Sequence, residues 1–357
     1  MTELPRVSVF TLGGTIASSG DAGAAALVRL SGNDLLRAIP QAADVATVDV
    51  RPFRLVPSGD LRLADLLELC TAIEDAAAAG ADGIVVTQGT DTLEETAYAI
   101  DVLTGLDVPI VVTGAMRNAS LPGSDGPANL LAAIQVAASD VARGLGALVV
   151  FNDQIHAARH VRKSHATSTA TFVSPLTGPI GYVVEDRVRI LSRPRGRFRI
   201  SLGEQAAEVR VAQAGVFFDD DGTLLRAVPG LGYAGLVVAA FGGGHVPAWL
   251  VPVLATVNEE IPVVLASRTG AGELLRGTYA YPGSEMDLLR AGLVPAVSRS
   301  TSHATVLLRL LLMAGVPRDA LAWCFEQASD PAGTVVVSAE TRAPAPASQG
   351  EDQRRAV

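Results

Sequence analysis

Two short stretches, Val7–Thr15 (VSVFTLGGT) and Ile84–Thr92 (IVVTQGTDT), share one design. Each is an apolar run that breaks at glycine and then places a threonine. A run of four to six apolar residues bounded by glycine is the pattern of a strand buried on both faces. Glycine lets the chain turn sharply where the polar side chains emerge. Pro109–Thr113 repeats the pattern and ends in Gly114-Ala115-Met116-Arg117, and Ala147–Phe151 gives a fourth apolar run.

Helical patterns fall between these runs. Arg62–Ala79 carries Leu63, Leu66, Leu67, Cys70 and Ile73 on one face and stops at Gly80; Thr92–Leu103 and Pro127–Ala138 follow. Strands alternating with helices predict a mostly parallel sheet covered on both faces. Residues 180–200 read as antiparallel strands leaving that sheet. Ser192–Gly203, rich in Arg, Pro and Gly, reads as a connector. Strands at Val209–Val216, Gly235–Ala240 and Pro262–Ala266, with helices at 247–257, 284–291 and 302–313, then predict a second, smaller α/β block. The expected architecture is therefore α/β with two domains. A larger N-terminal domain spans residues 1–191, a linker 192–207, and a C-terminal domain 208–339. Residues 340–357 lack apolar periodicity and are expected to be disordered.

The 357 residues are 49% hydrophobic, enough for large cores, with a formal net charge of −9. That balance argues against a nucleic-acid footprint. No apolar run approaches the roughly 20 residues that span a bilayer, and no leader pattern opens the chain. A soluble cytoplasmic enzyme is the expectation. The two cysteines, Cys70 and Cys324, read as small core residues. One imbalance stands out: of 28 basic residues, every one but Lys163 is arginine. Guanidinium stays protonated near neutral pH, whereas a lysine amine can exchange its proton, so Lys163 is a candidate for chemistry.

In a doubly wound sheet, ligands bind beyond the carboxyl ends of the strands. Phosphate cradling is one use of such turns, but no G-x-x-x-x-G-K-[ST] and no G-x-G-x-x-G follows the first strand. His156, His160 and His165 suggest a metal only if the segment is helical, and Arg159, Arg162 and Lys163 would repel a cation there. No metal and no cofactor are expected. The remaining reading is an acyl-transfer site. Thr15 or Thr90 would be the nucleophile, Lys163 the proton acceptor and Asp91 its anchor. The alternative is that both threonines cap the turns that follow them.

Val9–Ala17 (VFTLGGTIA), Val86–Tyr98 (VTQGTDTLEETAY), Val112–Arg117 (VTGAMR), Asp125–Asn129 (DGPAN) and Val161–Phe172 (VRKSHATSTATF) resemble the bacterial-type L-asparaginase family, over most of residues 5–328. The resemblance implies cofactor-free hydrolysis of L-asparagine to aspartate and ammonia. It implies a homotetramer with each site between the N-domain of one subunit and the C-domain of its neighbour. Thr15 would form an acyl-enzyme, and Thr90, Asp91 and Lys163 would make the second catalytic group. Ser58 and Asp91 would hold the substrate's α-groups, with Gly59, Gly89 and Thr90 beside them and the Ala115 carbonyl facing the amide nitrogen. Three departures accompany it: residues 16–34 contain no tyrosine, where the family's lid usually carries one. Gly59 stands where a glutamine is usual. Arg276–Gly283, the neighbourhood of a glutamate from the adjoining subunit, offers Tyr279 and Tyr281 instead. These losses leave open another amide (glutamine, a D-amino acid amide, a larger asparaginyl compound) or a catalytically weak binding or regulatory homologue.

Overall fold

The computed structural model describes residues 3–20, 27–203 and 206–344. Residues 345–357, most of the segment expected to be disordered, lie outside the described residues, as does 21–26 of the Ala/Gly-rich loop.

The N-terminal part is built on one eight-stranded sheet. Its strands are β1 (Arg6–Gly13), β2 (Thr47–Val56), β3 (Gly83–Thr87), β4 (Ile110–Thr113), β5 (Ala147–Phe151), β6 (Gln154–Ala157), β7 (Gly181–Val184) and β8 (Arg187–Ile190), in the order β8-β7-β6-β5-β4-β3-β1-β2. From β2 to β5 all neighbours are parallel. From β5 outward all are antiparallel. The hairpin at 181–190 therefore does not leave the sheet, as its sequence suggested; it extends the edge. Gly181 allows this, because a Cβ there would sit 2.2 Å from the Arg189 carbonyl oxygen.

Alternation along the strands explains the two covered faces. Val7, Val9, Val85 and Val111 pack on α3 (Gly126–Ala137). Phe10, Leu12, Ile84, Val86, Ile110 and Val112 pack on α1 (Leu63–Ala78) and α2 (Leu93–Leu103). Cys70 lies in that second core, and burial pushes its thiol to about 12.

The C-terminal part has a four-stranded parallel sheet of β9 (Val211–Gly215), β10 (Gly235–Ala240), β11 (Val263–Ser267) and β12 (Val294–Pro295). It is covered by α4 (Val251–Glu260) and α5 (Thr301–Met313), among others. Its core reaches into the N-terminal part through Tyr98, Ala99 and Val102 of α2, which is thus covered on nearly every side. Polar contacts reinforce the junction. His303 of α5 stacks on Tyr98 with ring centroids 4.6 Å apart. The Arg299 guanidinium lies over the Tyr98 ring, 5.2 Å from its centroid, and donates to the carbonyls of Arg159 and Ala328. Arg197–Ile200, inside the Arg/Pro/Gly-rich stretch, pairs in parallel with Thr334–Val337 near the end of the described chain.

Candidate active site

The winding of the sheet reverses between β1 and β3, so their carboxyl ends open a crevice where both Gly–Thr turns emerge. The two turns touch backbone to backbone. Gly14 has φ 78°, and a Cβ on it would lie 2.0 Å from the Gly89 nitrogen. A Cβ on Gly89 would in turn come within 2.8 Å of Ser58 Oγ. Only glycine fits at either place, and Thr15, Thr90 and Ser58 are drawn together as a result.

Thr15 opens a single 3-10 turn, Thr15–Ala17, whose cap residue is Gly14. Thr90 opens another, capped at Gly89, and neither turn has a side-chain cap. The capping alternative therefore does not describe these hydroxyls. Thr90 Oγ1 accepts a hydrogen bond of 2.9 Å from Lys163 Nζ, and Asp91 Oδ1 accepts one of 2.6 Å from the same nitrogen. The lone lysine is mostly buried while the Asp91 side chain is 81% exposed, so the ion pair has one dry and one wet partner.

Lys163 reaches this point from a two-residue strand, Arg162–Lys163, paired with Phe172–Val173. Phe172 anchors the pair by packing on Phe151 of β5, centroids 4.8 Å apart. A second anchor was not singled out in the sequence: the Lys163 backbone N–H donates to the Glu94 carboxylate. Glu94 is buried, and burial raises its pKa against the lowering effect of that hydrogen bond. Its signal was available, since Glu94 shares the buried face of α2 with Ala97 and Tyr98.

Ser58 lies buried in a 3-10 turn after β2, and its carbonyl accepts from Thr92 Oγ1 at 2.9 Å. Gly59 beside it is exposed, with nothing within 4 Å of where a Cβ would stand. Ala115 is fully buried at the end of β4. The turn around it is held by the DGPAN segment: Asn129 Nδ2 donates to the Gly114 carbonyl (3.0 Å), and Asp125 accepts from the backbone of Met116 (3.0 Å) and Arg117 (2.8 Å). The structure thus joins Ser58, Gly89, Thr90, Asp91 and Lys163 in one contact set, with Thr15 at its edge. The half-buried Thr15 hydroxyl has no hydrogen-bond partner among the described residues.

The histidine spacing does not put His156 and His160 on one helical face. His156 lies on strand β6, with Nδ1 2.9 Å from Ser174 Oγ, and burial pushes its pKa down to about 4. His160 is in the turn beyond, pushed to about 3 by burial and by Arg299 and Arg159.

Comparison with known proteins shows the family. The Asparaginase, N-terminal family profile matches residues 6–195, and the Glutaminase/Asparaginase C-terminal domain profile matches 210–325. The chain belongs to the asparaginase family. It is 37% identical to a probable L-asparaginase of Deinococcus radiodurans, covering 91% of this chain and 98% of that one. An L-asparaginase of Bacillus licheniformis is 34% identical over 86% of this chain and 95% of its own. Among solved structures, a probable cytoplasmic L-asparaginase from Campylobacter jejuni superposes with a TM-score of 0.81 at 28% identity, covering 90% and 99% of the two chains. The asparaginase scaffold is therefore present nearly end to end, and no helix among the described residues is long and apolar enough to cross a membrane.

Proposed function

We propose that this protein hydrolyses L-asparagine to L-aspartate and ammonia through an acyl-enzyme on Thr15, as a cytoplasmic homotetramer with sites between subunits. One observation carries the reading: the only lysine bridges Thr90 and Asp91 beside the Gly14–Gly89 contact that presents Thr15. Thr15 Oγ attacks the side-chain amide carbon, and the amide nitrogen leaves as ammonia past the Ala115 carbonyl. In its neutral form the Lys163 amine takes the proton of the Thr90 hydroxyl while the Thr90 oxygen takes one from the water that attacks the acyl-enzyme and releases aspartate; Asp91 holds the ammonium so formed. Ser58 and the open edge of Asp91 take the substrate's α-carboxylate and α-ammonium.

Ammonia release from a panel of amides tests this directly. Thr15→Ala should lower turnover by on the order of 10⁴-fold or more while leaving aspartate binding near wild type. The covalent adduct seen by rapid-quench mass spectrometry should vanish with it. Retained turnover in that variant would move the nucleophile to Thr90. A second reading, hydrolysis of a larger or different amide, has one specific support: the open space at Gly59, where a side chain would otherwise contact substrate. Faster ammonia release from another amide in the panel would favour it.

A further inference from the structure

The three parallel strands β9, β10 and β11 also end in loops, at residues 216–222, 241–249 and 268–283. Hydrogen bonds join these loops into one rim. Trp249 Nε1 donates to the Asp220 carbonyl (2.8 Å), and the Val246 N–H donates to the Gly283 carbonyl (2.9 Å). The chain is only 4% aromatic, yet five of the six exposed aromatic residues among those described lie here: Phe217, Phe218, Trp249, Tyr279 and Tyr281. Such a concentration of exposed rings is the mark of a surface that something covers.

Within the rim is a polar chain of three residues. Glu285 is fully buried. One of its oxygens accepts from the backbone N–H groups of Thr278 (2.8 Å) and Tyr279 (2.7 Å); the other lies 3.1 Å from His245 Nε2. A carboxylate so placed accepts only, so Nε2 carries the imidazole proton and Nδ1 keeps a lone pair. Tyr281 Oη stands 3.0 Å from that Nδ1, so the phenol donates to it. The phenol oxygen is left free to accept a second hydrogen bond. Tyr279 packs edge-on to His245 at 5.3 Å and holds the ring from the side.

At the other sheet, Thr15 lacks a hydrogen-bond partner among the described residues, Lys163 is committed to Thr90 and Asp91, and residues 16–34 contain no tyrosine. We propose that Tyr281 of one copy of the chain seats against the Thr15 turn of a second copy and takes the Thr15 proton. Tyr281 is 47% exposed, and its described ring and hydrogen-bond partners are His245 and Tyr279, none of them in its own Thr15 turn. As the Thr15 oxygen bonds to the amide carbon, its proton moves to Tyr281 Oη while the phenol's own proton moves to His245 Nδ1. The imidazolium so formed is paired with Glu285. The transfers reverse to protonate the nitrogen as the carbon–nitrogen bond breaks and ammonia leaves. Tyr281 is thus a catalytic residue supplied in trans, and His245 and Glu285 are positioning residues behind it.

The inference rests on the asparaginase reading. Tyr281→Phe should lower kcat about 10²-fold with KM little changed. His245→Gln should lower kcat with KM little changed, because no imidazole remains to take the phenol proton. Co-expression of differently tagged Thr15→Ala and Tyr281→Phe chains should restore about a quarter of wild-type activity, since half of the random pairs are hybrids and each has one complete site. Hybrids no more active than their parents, or Tyr281→Phe within about threefold of wild type, would overturn the trans phenol and leave the asparaginase reading standing. A wild-type protein that releases no ammonia from any amide would remove the reading itself.

Discussion

The two parallel sheets end in rims of opposite character. At the N-terminal sheet, the turns after β1 and β3 are closed by direct backbone contact through Gly13, Gly14 and Gly89, with threonines and one lysine emerging from them. At the C-terminal sheet, the loops after β9, β10 and β11 are held by side-chain and ring contacts together with the Val246–Gly283 backbone bond, and they leave Phe218 94% exposed. The same position in the same kind of sheet carries close-packed turns where glycines stand and an open aromatic face where side chains are large. The first arrangement draws Thr15, Thr90 and Ser58 together. The second offers area.

Substitutions can break that contrast, beginning with the largest effect. Lys163→Arg keeps the cation and the reach to Asp91 but fixes the proton. Turnover should fall about 10²–10⁴-fold with the melting temperature nearly unchanged; steady-state ammonia release at neutral pH measures it. Next comes a matched pair, one change on each rim. Gly14→Ala places a methyl 2.0 Å from the Gly89 nitrogen at a positive φ, and should cost about 3 kcal/mol or more in denaturant unfolding. Phe218→Ser should change the stability of the separated chain by about 0.5 kcal/mol or less. Similar costs for the two would erase the distinction between the rims.

The smallest effect concerns carboxyls behind each rim. Burial pushes Glu95 from 4.5 up to about 7, with Glu94 adding to the rise. The folded chain then holds a proton that the unfolded chain has released, so Glu95 lowers stability as pH climbs from about 4.5 to 7. Burial also acts to raise Glu285, but the N–H groups of Tyr279 and Thr278 outweigh it and leave that carboxyl below its ordinary value. Its contribution is present above the unfolded value and lost only on acidification. Relative to wild type, Glu95→Gln should gain about 2 kcal/mol between pH 5 and pH 7, allowing for partial exposure. Urea titrations at the two pH values would show it, and a constant difference between the proteins would remove Glu95 as its source.

Local pattern carried much of this molecule. The apolar runs ending in Gly–Thr marked the buried parallel strands, because strands covered on both faces can tolerate little else. The same runs ended where Thr15 and Thr90 emerge, and the lone lysine proved to lie against Thr90. What local pattern missed depends on contacts between distant segments. Arg197–Ile200 looks like connector until Thr334–Val337 comes back to pair with it. The hairpin at 181–190 belongs to the sheet only because Gln154–Ala157 turned antiparallel and offered an edge. His245 and Glu285 are 40 residues apart, one after three glycines and the other at the start of a short helix, so no periodicity ties them together. Glu94 was in plain view, but its partner is a backbone N–H, which the sequence does not distinguish from any other.

A chain with one lysine also carries its own reporter. Apart from the α-amino group, an amine-directed label or a lysine-specific protease has a single target, and that target lies mostly buried between Thr90 and Asp91. Whatever slows or speeds modification at Lys163 is read out with no other lysine in the background. The occupancy of the crevice, and the opening of the short strand that delivers the amine to it, can therefore be timed by chemistry that touches no other side-chain amine.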